Sequence, residues 1–422
     1  MKDKRSKHVL FVSYDGMTDS LGQSQVLPYI REISKREFEY TLISFEKPER
    51  YAKFKNTIQQ ICNESNVNWA PIAYSGSIPI ISTIWNVYRL KKKAFKIHKK
   101  RPFDLFHSRS HVPSLVAQML QKKENVPYLF DMRGFWADER VDGGVWNLGN
   151  PVFKYVYTFF KRKEIEFLEE CNAIVSLTEN GKKEILSWQK LSKTPKLLRE
   201  KTLDIEVIPC CVDTELFNTS NIEQSKQFAL KSKLGINENS FVVGYVGSIG
   251  TWYMLPEMLD FFKIFITKNQ HAIFLFVSNE PEEKILTVAT EKNIPHEKIK
   301  VVSCLHKEVP YYISLFNISI YFIIPAYSKK ASSPTKQAEL MSMGIPVVCN
   351  IGVGDSDTIV KKYNAGWVVE EFEENEYERI STSINLNDTI NRTQLIEDAK
   401  SVFDLEYGAK TFYNSYKRIL KL

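Results

Sequence analysis

Residues 241–252 read Phe-Val-Val-Gly-Tyr-Val-Gly-Ser-Ile-Gly-Thr-Trp, an apolar run that enters a turn containing two glycines. The run predicts a buried strand over residues 241–246, because a continuous apolar segment of this length suits a strand covered on both faces. The glycines predict a tight turn before a helix, in which backbone amides can bind a diphosphate. The spacing is not that of the dinucleotide-binding fingerprint, and an ordinary strand-to-helix turn has the same pattern.

The same alternation continues on both sides of this stretch. Further strand-like runs lie at residues 8–14, 40–45, 104–108, 128–132, 173–177, 205–208, 272–277, 300–304, 318–324 and 345–349. Segments with helical spacing separate most of them, for example residues 25–36, 112–122 and 153–170. Because strands that alternate with helices form parallel sheets, the chain is predicted to be an α/β protein with two Rossmann-like domains.

The boundary between the domains is predicted near the middle of the chain. Residues 218–240 are polar and lack strand periodicity, as is typical of a connection. We therefore expect an N-terminal domain over residues 1–213 and a C-terminal domain over residues 214–402. The amphipathic end of the chain predicts a helix over residues 403–422 that closes back on the N-terminal domain. Ligands of open α/β sheets bind beyond the carboxyl ends of the strands, so the site is expected between the domains.

The composition is that of a globular protein with more than one core. The chain has 422 residues, of which 43% are hydrophobic and 25% charged, which excludes a disordered or fibrous protein. Its six cysteines have neither zinc-site spacing nor the density of a disulfide scaffold, so we expect no metal. Residues 1–7 are basic and polar, and no long apolar run occurs. The sequence thus predicts no signal segment and no transmembrane helix, and we expect a cytoplasmic protein.

The net charge of +7 favours anionic partners, which include nucleotides, nucleic acids and acidic lipid surfaces. Part of the excess follows the apolar stretch 78–87 as a run of cations: Lys91, Lys92, Lys93, Lys96, Lys99, Lys100 and Arg101. This arrangement suits peripheral contact with an anionic membrane at the inner face of the cell membrane. A solvated helix whose cations complement its own dipole fits equally well. Nucleic acid is not an expected partner, because the cations have no interleaved aromatic residues.

Two loops of the predicted N-terminal domain are rich in functional residue types. The first, residues 14–25, contains Gly22, which allows the backbone to approach a phosphate, although an ordinary turn also explains a glycine. The second, residues 130–140, crowds acids, bases and aromatic residues after a buried strand. Asp131 and Arg133 share one face of an extended segment, where an arginine can neutralise phosphate charge. A salt-bridged structural loop is the alternative.

A candidate for a phosphate-binding helix start begins at residue 332 in the C-terminal domain, in addition to the glycine turn and the two loops above. Ser333 is predicted to cap a helix, Pro334 to be its first residue and Gly344 to end it. Lys336 and Glu339 would lie on one face near the helix start, where a cation favours phosphate and a carboxylate can accept hydrogen bonds from ribose hydroxyls. A surface ion pair is the simpler interpretation.

Together these features resemble the GT-B glycosyltransferases, and among them the retaining group called family 4, or glycosyl transferases group 1. The likeness extends over nearly the whole chain. Residues 207–213, Val-Ile-Pro-Cys-Cys-Val-Asp, together with Phe217 are similar to the domain-junction signature of the family, which usually has Asn-Gly in place of the two cysteines. Ala-Ile-Val-Ser-Leu-Thr at 173–178 and Gly-Val-Gly-Asp at 352–355 add to the resemblance.

The resemblance implies a nucleoside-diphosphate sugar as donor, transfer of a hexose or related sugar with retention, and no metal or other cofactor. It implies that a glycan or a lipid-linked glycan of polysaccharide biosynthesis is the acceptor. Because the departing diphosphate deprotonates the acceptor in such enzymes, no enzymic nucleophile is required. The donor-binding residues implied are Gly22, Gly247, Ser248, Gly250, Trp252, Leu305, Ser333, Pro334, Thr335, Lys336 and Glu339. The catalytic residues implied are Asp131, Arg133 and Lys336.

The chain departs from the family pattern in two places that bear on the donor. Ala331 stands eight residues before Glu339, where the family usually has a first glutamate. The basic pair that is usual on the loop 247–254 is missing, so Lys336 or Arg133 has to supply the cation.

Two other functions of the same fold remain open. A non-catalytic protein would bind nucleotide sugar or membrane without hydrolysing the donor. A nucleotide-sugar epimerase would need a proton-transferring pair, for which Asp131, Glu139 and His107 are the candidates.

Overall fold

The computed structural model describes residues 6–76, 78–191, 195–386 and 390–422. Most of the basic start, residues 1–5, lies outside them. The chain divides into two compact units. Unit 1 is Met1–Pro209 with Lys330–Ser332 and Leu405–Leu422, and unit 2 is Cys210–Lys329 with Ser333–Asp404.

Unit 1 is built on parallel strands. They are β1 Lys7–Ser13, β2 Phe38–Ile43, β3 Phe45–Glu46, β4 Val67–Trp69, β5 Ile72–Ala73, β6 Leu105–Arg109, β7 Tyr128–Asp131, β8 Ala173–Ser176 and β9 Ile205–Val207. Seven of them form one parallel sheet in the order β4-β2-β1-β6-β7-β8-β9, and β3 pairs with β5. The apolar runs are buried as in other parallel sheets, whose two faces are both covered.

Helices connect these strands. They are α1 Ser20–Gln25, α2 Leu27–Ser34, α3 Pro48–Glu64, α4 Pro79–Lys100, α5 His111–Glu124, α6 Trp136–Asp142, α7 Pro151–Glu170, α8 Glu179–Trp188 and α9 Lys196–Glu200. A crossover between parallel strands has to return to the edge at which strands begin, so its helix starts at the carboxyl edge of the sheet. The loops after β1, β6 and β7 therefore lie at one edge of unit 1.

Unit 2 repeats this architecture. Its strands are β10 Phe241–Val246, β11 Ala272–Val277, β12 Ile299–Val302, β13 Ile318–Tyr321, β14 Val347–Asn350 and β15 Gly366–Val369. All are parallel, in the order β12-β11-β10-β13-β14-β15. The helices are α10 Gln224–Leu234, α11 Leu255–Lys268, α12 Glu282–Glu291, α13 Val309–Ile313, α14 Thr335–Ser342, α15 Ser356–Lys362, α16 Glu374–Leu386 and α17 Arg392–Phe403.

The last helix, α18 Leu405–Leu420, belongs to unit 1. Phe412 packs edge-to-face on Tyr29 of α2, with ring centroids 5.7 Å apart. The Tyr416 hydroxyl lies 2.6 Å from Nδ1 of His107 in β6. The predicted return of the terminal helix to the N-terminal domain is therefore confirmed.

Some local predictions were wrong. The helical segment predicted at residues 25–36 is observed as α2, Leu27–Ser34, but the separate helix α1, Ser20–Gln25, was not predicted; the two are separated at Val26, whose backbone is not helical (φ −127°, ψ −59°). Strands β4, β5 and β15 were not predicted, and the predicted run 40–45 divides between β2 and the first residue of β3. Within the described part of the chain, no helix combines the length and apolarity needed to cross a bilayer.

Candidate functional site

Unit 2 brings the turn after β10 against the first turn of α14. Gly247 has a left-handed backbone, with φ +109°, and a Cβ atom added to it would lie 3.4 Å from Nζ of Lys336. Two segments that the sequence singled out separately, residues 247–252 and 333–339, thus meet at the carboxyl edge of one sheet.

Lys336 is a buried cation held on aromatic rings. It is 6% exposed, and its Nζ lies 3.9 Å from the ring centroid of Tyr245 and 3.6 Å from that of Tyr253. Nζ makes no hydrogen bond to any described residue. Burial lowers the pKa of Lys336 well below its ordinary value, and the charge of Glu339 opposes this only in part. An ammonium group without a hydrogen-bond acceptor is costly to bury, and an anion bound beside it would remove that cost.

The amides of the turn are not all free for a ligand. The Gly247 amide donates to the Val277 carbonyl over 3.0 Å, so it cannot also bind a phosphate. Those of Ser248 and Gly250 have no acceptor among the described residues. The Tyr245 hydroxyl donates to the Ser248 carbonyl over 2.5 Å, which fixes the turn. The predicted diphosphate contact therefore rests on the amides of Ser248 and Gly250.

Trp252 is paired with a cation that sequence reasoning missed. Nζ of Lys329 lies 3.6 Å from the Trp252 ring centroid, and Lys329 is only 5% exposed. The Trp252 carbonyl accepts from the Ile324 amide over 2.9 Å, which holds the backbone of Trp252 beside the segment that follows β13. The one sequence signal was the position of Lys329, two residues before Ala331, where the family pattern loses its first glutamate.

The start of α14 differs from the prediction. The helix begins at Thr335, Pro334 occupies the cap position with an extended backbone, and no side chain caps it. The hydroxyl of Ser333 instead accepts from the Cys210 amide over 3.1 Å. The predicted capping role of Ser333 and the placement of Pro334 inside the helix are therefore wrong. Gly344 does follow the end of the helix, with φ +66°.

Glu339 lies beside the segment that carries Leu305, one of the donor-binding residues that the resemblance implies. Its Oε1 is 3.6 Å from Nε2 of His306, and Phe217 packs edge-to-face on the His306 ring at 5.6 Å. The neighbouring Leu305 is 56% exposed, and its contact with the base stays a prediction. Leu305 and Glu339 are thus on the same side of unit 2, although their sequence positions are far apart.

In unit 1, Asp131 lies at the end of β7 in a buried polar cluster. Its Oδ2 is 3.5 Å from Nε2 of His107, and its Oδ1 is 4.0 Å from a guanidinium nitrogen of Arg133. Burial by itself raises the pKa of Asp131, but Arg133 and His107 outweigh it, and the net pKa lies below its ordinary value. Burial lowers the pKa of His107, against the opposing effect of Asp131. The cluster is therefore an ionised carboxylate beside a neutral imidazole.

The loop that carries Arg133 has an unusual backbone. Arg133 has φ +55° and Gly134 has φ +107°. A left-handed arginine costs about 1–2 kcal/mol, which its surroundings have to offset. Hydrogen bonds from Ser110 N to the Asp131 carbonyl (2.7 Å) and from Met132 N to the Val175 carbonyl (3.0 Å) hold the loop. Strain of this kind is common at functional sites.

Gly22 lies in the first turn of α1, next to the loop after β1, and packing against that loop leaves no room for a side chain. A Cβ atom there would lie 2.1 Å from the carbonyl oxygen of Gly16. Buried Glu46 holds the same loop by accepting from the amides of Met17 (2.8 Å) and Thr18 (3.1 Å). The close approach of α1 to this loop therefore requires glycine, and contact of Gly22 with a phosphate stays a prediction.

No metal-ligand cluster is visible in the described ranges, which contain no group of three or more His, Cys, Asp and Glu side chains placed to hold an ion. The absence of a metal from the expected cofactors stays a prediction.

Comparison with known proteins identifies the fold. Residues 226–402 match the family model described as glycosyl transferases group 1. No curated protein sequence matches the chain significantly. Sucrose-phosphate synthase from Thermosynechococcus elongatus is similar in structure, with TM-score 0.72 and 13% identity over 98% of this chain and 99% of that one. A glycosyltransferase from Rickettsia africae has TM-score 0.71 and 15% identity, with 99% of each chain covered.

A third similar structure is HepE from Anabaena in complex with UDP and glucose. Its TM-score is 0.68 and its identity 13%, over 98% of this chain and 100% of that one. The chain therefore has the GT-B fold of these structures, and residues 226–402 are similar to the glycosyl transferases group 1 family.

Proposed function

We propose that this protein is a glycosyltransferase that takes a sugar from a nucleoside-diphosphate donor and transfers it, with retention at the anomeric carbon, to a glycan or lipid-linked glycan. The observation that carries the proposal is Lys336. It is a buried cation without a hydrogen-bond acceptor among the described residues, and it faces the glycine turn after β10. A diphosphate supplies the charge and the acceptor oxygens that this position lacks.

Each part of the donor has a counterpart in unit 2. The amides of Ser248 and Gly250 and the start of α14 at Thr335 bind the diphosphate. The carboxylate of Glu339 accepts hydrogen bonds from the ribose, and Leu305 packs against the base. The HepE structure contains UDP, which makes UDP the first nucleotide to test.

The proposed reaction needs charge stabilisation rather than a nucleophile. The bond between the anomeric carbon and the diphosphate oxygen breaks, and the acceptor oxygen forms the new bond on the same face. The acceptor proton ends on the departing diphosphate. Lys336 and Lys329 stabilise the negative charge that develops on the leaving group, so no metal ion is required.

Asp131 and Arg133 are assigned to the transferred sugar. Asp131 is ionised, and its Oδ1 accepts no hydrogen bond from a described residue, so a sugar hydroxyl can donate to it. Arg133 keeps the carboxylate charged in its buried position. A lipid-linked acceptor would bring the protein to the inner face of the cell membrane as a peripheral enzyme.

The test is release of nucleoside diphosphate from a panel of donor sugars, with the anomeric configuration of the transferred or hydrolysed sugar determined by NMR. We expect release from one donor with retained configuration. Asp131→Asn should lower turnover by about 100-fold, the effect of losing one electrostatic contact in a transition state, while UDP binding in unit 2 is kept. Asp142→Asn, at an exposed position, is the matched control.

The same assay separates the alternatives. Binding without release of nucleoside diphosphate would favour a non-catalytic protein. A changed sugar that is still attached to the nucleotide would favour an epimerase. Inversion at the anomeric carbon would contradict the proposed stereochemistry.

A further inference from the structure

Helix α4 of unit 1 exposes a face of large apolar side chains. Ile78, Ile81, Ile84, Trp85 and Tyr88 are between 50% and 65% exposed, and the rings of Trp85 and Tyr88 stack at 5.4 Å. Four of these residues belong to α4 and Ile78 directly precedes it; the five recur at helical spacing and are called the apolar face of α4. Contiguous exposed apolar surface of this kind marks an interaction site rather than ordinary surface.

The opposite face already attaches the helix to unit 1. Leu90 and Ala94 are fully buried, and Asn86 is buried with them. Asn86 donates to the Ser75 carbonyl over 2.9 Å and accepts from the Ser75 amide over 3.3 Å. The apolar face is therefore not needed to hold α4 in place.

The exposed face continues toward the end of the helix as cations. Lys92, Lys96 and Lys99 extend it at spacings of four and three residues, and none of them has an acidic partner among the described residues. No Asp or Glu occurs in the sequence between Glu64 and Asp104. One face of α4 thus combines an apolar half with a cationic half and has no negative charge near it in sequence.

We propose that this face of α4 is a docking surface for an anionic lipid bilayer. Tryptophan and tyrosine favour the boundary between headgroups and acyl chains, and isoleucine adds buried apolar area. Lysines along the same face attract acidic headgroups and extend their stems over apolar surface. The helix lies on the bilayer and does not cross it, which agrees with its many charges.

A solvated helix explains the lysines but not five exposed apolar residues beside them. The positive charge of the lysines favours an anionic partner. Aromatic and aliphatic side chains on the same face as the lysines favour a lipid surface over an acidic protein.

The buried face of α4 is connected to the loop after β1. Asn86 of α4 donates to the Tyr14 hydroxyl over 2.9 Å. The next residue, Asp15, accepts from Arg109 at the end of β6 over 2.5 Å. The apolar half of α4 lies in its first turns, which start at the carboxyl edge of the sheet. A bilayer against this face is therefore close to the edge that carries Asp131, which suits delivery of a lipid-linked acceptor. This last step rests on the proposed function, whereas the docking itself does not.

The test is flotation with vesicles of phosphatidylcholine alone and with about one third phosphatidylglycerol. We expect binding to the anionic vesicles that weakens as salt is added. Ile81→Ser with Trp85→Ser should lower the partition coefficient at least tenfold. Lys92, Lys96 and Lys99→Gln should lower it by about 100-fold, since each surface lysine contributes about fivefold.

Matched controls use exposed positions away from α4. The first control is Phe228→Ser, which replaces an apolar residue of α10 that is 74% exposed. The second replaces three exposed lysines, Lys233, Lys263 and Lys410, with glutamine. Both variants should bind vesicles like the wild type. Melting temperatures should be unchanged in every variant, because all the substituted side chains are exposed.

Several outcomes would overturn the docking proposal. One is that the folded wild-type protein does not bind vesicles. Another is that the α4 variants bind vesicles as well as the wild type does. The third is a dimer in sedimentation velocity that dissociates when Ile81 and Trp85 are substituted. UDP-induced thermal stabilisation measured on the same samples keeps this result separate from the proposed function. A protein that binds UDP but not vesicles loses only the docking proposal.

Discussion

Nζ of Lys336 lies 3.4 Å from the point that a Cβ atom on Gly247 would occupy, so the buried cation faces the turn after β10 across a space that a side chain would narrow. The two residues belong to different strand-to-helix connections of one parallel sheet. Their approach places a positive charge beside the turn whose Ser248 and Gly250 amides have no acceptor among the described residues. This arrangement suits the two phosphates of a nucleoside diphosphate.

Replacing Lys336 with methionine should separate stability from binding. The wild-type protein buries an ammonium group without an acceptor, whereas methionine keeps the aliphatic stem and packs well on Tyr245 and Tyr253. We expect Lys336→Met to raise the stability of the nucleotide-free protein by about 1 kcal/mol, or about 2–4 °C in Tm. It should also reduce stabilisation by UDP. Lys263→Met, at an exposed position, should do neither, and a lower Tm for Lys336→Met would contradict the assignment of an unsatisfied cation.

Nucleotide binding should take up a proton. Burial lowers the pKa of Lys336 in the free protein, and a bound diphosphate raises it again. At a pH between the pKa of Lys336 in the free protein and its pKa in the complex, binding is accompanied by protonation of the amine. The binding enthalpy measured by calorimetry should therefore vary with the ionisation enthalpy of the buffer. The dependence should vanish in Lys336→Met, and an equal dependence in both proteins would show that another group takes up the proton.

The same shift predicts how stability varies with pH. The unfolded chain keeps the ordinary lysine pKa of about 10.4 and so binds more protons than the folded protein above the lowered pKa. The contribution of Lys336 to the stability of the free protein therefore rises as pH rises between the lowered and the ordinary value. Denaturation midpoints of wild type and Lys336→Met should converge over this range.

Gly247 and Gly250 should respond differently to alanine. Gly247→Ala places a side chain on a backbone with φ +109° and narrows the space before Lys336. We expect a loss of about 1–2 kcal/mol in stability, the usual cost of a left-handed non-glycine residue, and at least tenfold weaker UDP binding. A Cβ atom on Gly250 meets nothing within 4 Å, so Gly250→Ala should leave stability unchanged. Equal losses of stability in urea denaturation of the two variants would refute this distinction.

The neighbouring lysines 329 and 330 provide a matched pair. Lys329 is buried over the Trp252 ring, whereas Lys330 is paired with Glu184 at 3.1 Å and its side chain is 49% exposed. If Lys329 supplies a cation to the donor phosphates, Lys329→Ala should weaken UDP binding about tenfold and uridine binding very little. Lys330→Ala should change the affinity for neither ligand. Calorimetry with UDP and uridine measures these affinities, and weaker UDP binding in Lys330→Ala but not in Lys329→Ala would contradict the role of Lys329.

The positions of most strands in the sequence could be predicted, because parallel strands buried on both faces appear as continuous apolar runs. Lys336 could be chosen from its place at a predicted helix start. The burial of Lys336 could not be predicted, because it depends on contacts with Tyr245 and Tyr253. These residues are distant in sequence, and only the folded sheet brings them next to Lys336. Lys329 was missed for the same reason, because its partner Trp252 follows a different strand.

Ser333 shows the limit of a local rule. The sequence has the residue types of a helix cap, but the hydroxyl bonds to the Cys210 amide, a contact that no local pattern reveals. The exposed face of α4 was partly visible as an apolar stretch before lysines. Only the structure shows that Leu90 and Ala94 face the core while Trp85 and Tyr88 do not.

Thermal stabilisation by a panel of nucleoside diphosphates tests the central claim, a donor site around Lys336, most directly. Wild type, Lys336→Ala and Glu339→Ala should be compared at ligand concentrations up to about 100 times Kd, where binding to the folded state adds about 2.7 kcal/mol. The account predicts that one nucleotide raises the Tm of the wild type and that both substitutions reduce the increase. Failure of every nucleotide to raise the Tm of folded wild-type protein, or an equal increase in Lys336→Ala, would contradict it.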